Sequence, residues 1–268
     1  MTPKKTDKRS LAPSVLLVIS ILAYGLFVLP LFVLLMRGIQ SGGWDALPEP
    51  EIVSAAIWLS LQTSIYSLLL TVLLGTVLAY VFARWEFRGI NIARVLLELP
   101  IVMPPAVAGL ALLLTFGRRG FLGMPLAEFG ITIPFSTFAV VIAQTFVAAP
   151  FYIRSAQVGF ESVPQELEDA ARVDGASEAS VFFLVTLPLS LRQLGSGLIL
   201  SWARAVGEFG ATVLFAGSLQ GRTQTMPLLV YSVFERDINA AIWTGLLLML
   251  VAFFALLLSQ WLASGKSD

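Results

Sequence analysis

The sequence contains neither cysteine nor histidine, and only 13% of its 268 residues are charged. The first absence removes disulfides, thiolate nucleophiles and Cys/His metal sites. The second removes imidazole, the side chain best suited to carrying protons near neutral pH. A G-x-x-x-x-G-K-[ST] phosphate loop is also missing, so any use of ATP falls to another chain. Formal net charge is zero and no basic run is interleaved with aromatics, which leaves no electrostatic footprint for nucleic acid. The chain is expected to be no enzyme and to carry no cofactor or metal of its own. What it has in abundance is apolar side chain: 57% of residues are hydrophobic and the mean hydropathy is +0.85. Soluble domains carry about one-quarter charged residues, so the composition indicates an all-α integral membrane protein.

Apolar stretches of about 20 residues, enough to cross ~30 Å of hydrocarbon as a helix, recur along the chain. They place six transmembrane helices at about 12–36, 55–82, 93–116, 134–158, 194–217 and 239–263. Lys4, Lys5, Lys8 and Arg9 precede the first stretch, as in a secretory signal. That stretch is longer than a signal core, however, and no A-x-A-like cleavage site follows it, so an anchored helix is expected. Six spans put both termini on one side. With the N-terminus inside, the inner segments hold 11 cations (Lys4, Lys5, Lys8, Arg9, Arg84, Arg88, Arg94, Arg154, Arg172, Arg192, Lys266) and the outer ones 5 (Arg37, Arg118, Arg119, Arg222, Arg236). Positive charge stays inside, so cytoplasmic termini are expected.

Six of the 17 acids, Glu161, Glu166, Glu168, Asp169, Asp174 and Glu178, crowd the segment between the fourth and fifth spans. About 35 residues are too many for a structureless connection, and their pattern predicts two short helices over about 162–188. Ser162-Val163-Pro164-Gln165 fits an N-terminal capping box with proline in the first turn. Val163, Leu167, Ala170 and Ala171 share one helical face, expected to pack inward; Gln165, Glu168, Asp169 and Arg172 share the other. Glu168 and Arg172 are spaced for an i,i+4 ion pair. Gly175 suits a left-handed stop, Ser177 caps a second helix, and Leu187-Pro188 ends it. Two uses fit an acidic helix-turn-helix beneath the bilayer: lying on lipid, or entering a cleft on a soluble partner. Lipid-surface helices are rich in lysine and arginine, which favours the partner.

Asp169-Ala170-Ala171, three residues, Gly175, nine residues, Val185, one residue and Leu187-Pro188 resemble the E-A-A-x3-G-x9-I-x-L-P signature of bacterial ABC-importer permeases. Asp169 stands where the family usually has Glu, with Glu168 beside it, and Val185 stands where it has Ile. Three further segments, "LELPIVMPPAVAGLALLL" (Leu97 to Leu114), "ARAVGEFGATVLFAG" (Ala203 to Gly217) and "GRTQTMPLLVYS" (Gly221 to Ser232), are similar to molybdate permeases within the molybdate/sulfate group. The resemblance covers about 54–262. It implies a cytoplasmic N-terminal tail over 1–11, a first helix and external loop over 12–53, a permease domain over 54–262 and a C-terminal tail over 263–268. It also implies that the hairpin couples this chain to its ATPase through Glu168, Asp169, Ala170, Ala171, Gly175, Val185, Leu187 and Pro188.

Within the fifth span Gly197, Ser201, Ala205, Glu208 and Thr212 form a small, polar stripe at three- and four-residue steps. A carboxylate at membrane depth has to face protein or water, so the stripe is expected to turn inward. Arg204, some ten residues past that span's expected start, falls near the bilayer centre and can neutralise Glu208. The pair either lines a path or simply holds helices together. Pro104 and Pro105, with Pro100, are expected to break the third span, and broken helices are tolerated where they line a cavity or pack on protein. Hydroxyls and backbone N–H groups bind an oxyanion weakly enough to release it. The candidate translocation path is therefore Pro104, Pro105, Ser201, Arg204, Glu208 and Thr212.

The resemblance implies a bacterial inner-membrane subunit for ATP-driven import of molybdate or tungstate. Its expected partners are a second copy of itself, two cytoplasmic ATPase subunits, an extracytoplasmic oxyanion-binding protein and membrane lipid. The outer segments from Arg37 to Ser54 and Gly217 to Asp237 are candidates for meeting that binding protein. A sulfate or thiosulfate permease differs only in cargo. An ion-driven secondary transporter would show internal inverted repeats, and none is evident. An intramembrane enzyme would need a Ser/Lys or paired-Asp constellation that the spans lack.

Overall fold

The computed structural model describes residues 12–41 and 47–264. Lys4, Lys5, Lys8, Arg9 and Lys266, counted above for orientation, lie outside the described residues. All regular structure among the described residues is helical: α1 (Ala12–Gln40), α2 (Pro50–Arg84), α3 (Ile90–Val102), α4 (Pro105–Phe116), α5 (Gly123–Glu128), α6 (Thr137–Glu161), α7 (Gln165–Val173), α8 (Glu178–Val181), a π-helical turn (Phe182–Thr186), α9 (Leu187–Val206), α10 (Gly210–Phe215), α11 (Met226–Phe234) and α12 (Ile238–Ser264). Four helical runs are long and apolar enough to cross a membrane, or five when the bent pair α3–α4 is taken as one.

The core is built on α6. Ser136 caps it by accepting the Ala139 N–H, and its 25 residues extend about 37 Å. Helix α2 runs parallel to it, since Thr145 donates to Ser67 and Thr76 meets the Tyr152 hydroxyl in ascending order. Helix α9 runs antiparallel: Ser155 donates to the Gln193 carbonyl and Ser201 to that of Ala148. Close approach is possible because the facing surfaces are small. On α2 the buried face carries Ser60, Thr63, Ser64, Ser67, Thr71 and Gly75, a small-residue seam of the kind that joins helices where apolar burial alone gives little preference. Trp202 Nε1 donates to Ser64 Oγ and the Met226 N–H to Ser60 Oγ, so the seam also anchors α9 and α11. The sequence reading overlooked this seam.

Because α2 and α6 are parallel, the chain between them has to travel the length of α6. The bent pair does this. Leu97 of α3 packs against the Tyr152–Phe160 half of α6, whereas Ala108 and Leu112 of α4 pack against Ala139, Val140 and Ala143 at the other end. The expected break in the third span is present at Met103–Pro104, with a 117° bend. Pro100 stays inside α3 without interrupting it.

The fifth span departs from its expected limits of 194–217. The helical run starts at Glu178, passes through the π turn into α9 and stops at Val206; Gly207 to Phe209 form a break, and α10 follows. Leu187-Pro188 therefore does not end the second hairpin helix. Pro188 follows directly on the π turn, in which the Leu187 N–H bonds the Phe182 carbonyl, and the helix runs on through it. Arg204 sits in the last turn of α9, next to the break.

Candidate functional site

Two places gather the residues singled out by sequence. The first is the hairpin formed by α7, α8 and the π turn at the end of α6. Gly175 takes φ +89°, and the Ala176 and Gly175 N–H groups reach back to the carbonyls of Ala171 and Arg172. This is the left-handed stop expected there, and it satisfies carbonyls that the end of α7 would otherwise leave open. No neighbour crowds the position where a Cβ would stand, so backbone conformation alone calls for glycine. Ser177 caps α8 by accepting the Ser180 N–H.

The expected faces hold only in part: Val163 is buried, Ala171 half-buried, and Gln165 and Asp169 exposed, as read, but three residues depart. Glu168, assigned to the outer face, is its buried residue, with a side chain 1% exposed. Leu167, expected to pack inward, is exposed, and so is Ala170. The cause lies on α2. Arg84, the last residue of that helix, donates from Nη2 to Glu168 Oε1 at 2.6 Å and from Nε to Oε2 at 3.1 Å, and also reaches the Val163 carbonyl. Thr186 Oγ1 donates to the same Oε1 at 2.7 Å. A buried carboxylate requires this degree of partnering. Once it is met, the seat holds Glu168 inward and rotates the apolar residues out. The capping box is absent as well: α7 begins after Pro164 without a side-chain cap, and Ser162 bonds back to the Gly159 carbonyl of α6.

Around this seat Tyr80, Phe160 and Phe182 form a ring cluster with centroids 5.0 to 5.9 Å apart, tying α2, α6 and the π turn together. Arg172 bridges both arms, donating to Glu178 at 2.8 Å and Asp169 at 2.7 Å. Its bond to Glu178, opposed by some desolvation and aided by Asp169, raises its pKa above the ordinary guanidinium value. The expected Glu168–Arg172 pair is present only as a looser contact at 3.8 Å. Asp169 is 67% exposed, and Leu167, Val173, Phe183 and Leu184 are exposed as well. Of the other motif residues, Ala171, Val185 and Leu187 are half-buried and Pro188 is exposed. Arg84 and Thr186 escaped the sequence reading. The only hint was a lone cation closing a long apolar helix.

The second place is where the two helix breaks meet. A Cβ on Gly210, the first residue of α10, would collide with Pro105, the first of α4; one on Gly109 would lie 2.7 Å from the Ala211 carbonyl oxygen. The half-helices α4 and α10 thus run in backbone contact, with Phe116 against Phe215. Glu208 lies inside the break, buried, with Oε2 2.6 Å from Arg204 Nη1 and Oε1 accepting the Ala211 N–H at 2.8 Å. Its charge is thereby both neutralised and used to cap α10. The stripe of Gly197, Ser201, Ala205, Glu208 and Thr212 is buried throughout, as expected. Part of it meets α6, since a Cβ on Gly197 would lie 2.7 Å from Ser155 Cβ. Thr212 Oγ1 is buried without a partner, and Arg204 alone of the charged pair remains 30% exposed.

Residues 71–267 match the family model described as "Binding-protein-dependent transport system inner membrane component". The chain is 42% identical over 229 residues, 85% of its length and 86% of the relative's, to the molybdenum transport system permease protein ModB of Mycobacterium tuberculosis. Against ModB of Escherichia coli K12 identity is 37% over 220 residues, covering 81% and 95%. A probable sulfate transport system permease protein, cysT of Zygnema circumcarinatum, is 31% identical over 265 residues, covering 97% and 92%. Among solved structures, a bacterial ABC transporter involved in alginate import superposes with a TM-score of 0.78 over 97% of this chain and 98% of that one, at 16% identity, a likeness of fold. The chain belongs to the family of inner-membrane components of binding-protein-dependent transport systems, and it is a multi-pass transport subunit rather than the ATPase.

Proposed function

We propose that the chain is the permease subunit of an ATP-driven molybdate importer, acting as a homodimer with two cytoplasmic ATPases. The cargo is supported by the ModB relatives, which match over most of both chains. The coupling role is carried by one observation: the hairpin holds its buried acid on Arg84 and Thr186 and turns Leu167, Asp169, Val173, Phe183 and Leu184 outward. Such a surface, with apolar side chains set among the exposed carboxylates of Glu166, Asp169, Asp174 and Glu178 and rigidly seated on α2 and α6, suits a soluble partner that pushes on it. Force entering at α7 passes through Arg84 into α2 and through the π turn into α9.

In this reading the bent pair α3–α4 is one broken crossing and α12 another, which with the four long runs gives six spans and a cytoplasmic hairpin. The meeting of the breaks beside Glu208 is where α4 and α10 move relative to α6 as the pathway between two subunits opens. Pro104, Pro105, Ser201 and Thr212 act there by fixing the half-helices, and Arg204 presents the remaining positive charge.

Uptake of radiolabelled molybdate by cells whose own molybdate permease is deleted, complemented with this chain and its ATPase, tests the cargo. Accumulation that persists in a large excess of sulfate is expected. Accumulation of sulfate instead, with molybdate ignored, assigns the chain to the sulfate branch that the cysT relative represents.

A further inference from the structure

At the end of α6 remote from the hairpin, Leu113, Arg118, Thr132, Pro134, Phe135 and Arg222 line a cavity of about 430 Å³. Its two arginines differ from Arg84, Arg154, Arg172 and Arg204, each of which has a carboxylate partner. Neither the Arg118 nor the Arg222 guanidinium has a hydrogen bond or ion pair among the described residues. Their backbones, by contrast, are tightly fixed. Arg118 sits in a turn closed by Gly117 and Gly120, with the Phe121 and Leu122 N–H groups bonded to the carbonyls of Leu114 and Thr115. A Cβ on Gly123 would run into the Gly117 carbonyl, so this turn tolerates no side chain there. Arg222 follows Gly221 in a left-handed conformation, and its carbonyl accepts from Thr137 at the start of α6. The buried Thr223 hydroxyl accepts the Leu219 N–H and closes the same loop. Phe135 has φ 58°, costly for an aromatic residue, and its ring at the cavity wall lies 3.1 Å from where a Cβ on Gly217 would stand.

Fixed backbones that present two unpartnered cations describe a receptor for negative charge. Both arginines are exposed, and an exposed ion pair contributes only about 0–1 kcal/mol because water and salt screen it. A free oxyanion would therefore be held poorly. A carboxylate carried by a protein that covers the cavity arrives with its own exclusion of water, and desolvated arginine pairs of that kind are strong. Half-exposed Phe135 lines the cavity with the arginines, and Phe121, three residues from Arg118, is exposed as well; arginine with aromatics is the composition of binding hot spots.

We propose that the Arg118–Arg222 cavity receives acidic side chains of the extracytoplasmic binding protein. This rests on the importer reading above and adds to it the docking site and the charge of the docked surface.

The test uses the permease with its ATPase in lipid nanodiscs, titrated with the cognate binding protein loaded with molybdate. R118Q/R222Q is expected to weaken the dissociation constant by roughly thirtyfold or more and to flatten its dependence on salt. R118K/R222K is expected to recover part of both. Equal ATPase co-purification and thermal midpoint exclude misfolding. Unchanged affinity and salt dependence in R118Q/R222Q overturn the docking site while the importer reading stands. Failure of the wild-type complex to bind any oxyanion-binding protein overturns that reading and the site with it. Protection of these arginines from phenylglyoxal by free molybdate, with no binding protein present, makes the cavity an ion site and overturns the docking assignment.

Discussion

Replacing Arg84 with alanine leaves the Glu168 carboxylate buried, with the Thr186 hydroxyl as its remaining close partner and the Arg172 guanidinium 3.8 Å away. Removing one member of a buried pair costs about 3–5 kcal/mol, most of it the penalty of an uncompensated charge. The Arg84 side chain is 11% exposed, so water reaches part of this pair and the lower figure, about 3 kcal/mol, applies. Each 1.4 kcal/mol is a factor of ten, so detachment of α7 becomes about a hundredfold more frequent. Amide hydrogen exchange across Gln165–Val173 in the reconstituted permease reads this local opening directly, with α6 as an internal control. ATPase co-purification is expected to fall in parallel. R84M/E168M, which replaces both charges with apolar side chains, is expected to exchange more slowly than R84A. Exchange in R84A within threefold of wild type, together with no benefit in the double variant, would refute the seat as the element that fixes the hairpin.

Three further outcomes follow from the same geometry. Asp169→Lys is expected to leave thermal stability within about 0.5 kcal/mol of wild type, as for other exposed positions, while abolishing ATPase co-purification; retained co-purification removes the exposed face as the docking surface. Gly109→Val drives a branched side chain into the Ala211 carbonyl, and overpacking of this kind costs about 1–3 kcal/mol, which a lowered thermal midpoint in detergent would register. Glu208→Ala strips the cap from Ala211 and frees Arg204; loss of a cap costs about 1 kcal/mol. Transport is expected to fall further than that stability loss predicts, and full transport in this variant would reduce the pair to packing.

Residues whose requirements are local were legible in the sequence. Gly175 needs a left-handed backbone and Ser177 needs only the N–H three residues on, and both stand in the structure as read; of the prolines expected to break the third span, Pro104 marks the break and Pro100 does not. The membrane class was equally plain, since long apolar runs and scarce charge have no other use. Periodicity failed on α7 because it assigns faces by hydrophobicity, and here the inward face is chosen by charge. It failed on the fifth span because the apolar run and the helix do not coincide: the helix starts in the polar hairpin and stops at Gly207 inside the apolar run.

The amino-acid order alone thus determined the solvent this protein lives in, the hairpin and its stop at Gly175, and the family signature, all of which depend on neighbours a few residues away. Which face of the hairpin is buried was decided by Arg84, 84 residues before Glu168 in the chain. Whether Glu208 is a free charge or a cap was decided by where the chain broke. Both are matters of pairing in a low-dielectric interior. The energy of a buried charge depends on what stands within 3 Å of it, and only the folded arrangement sets that distance.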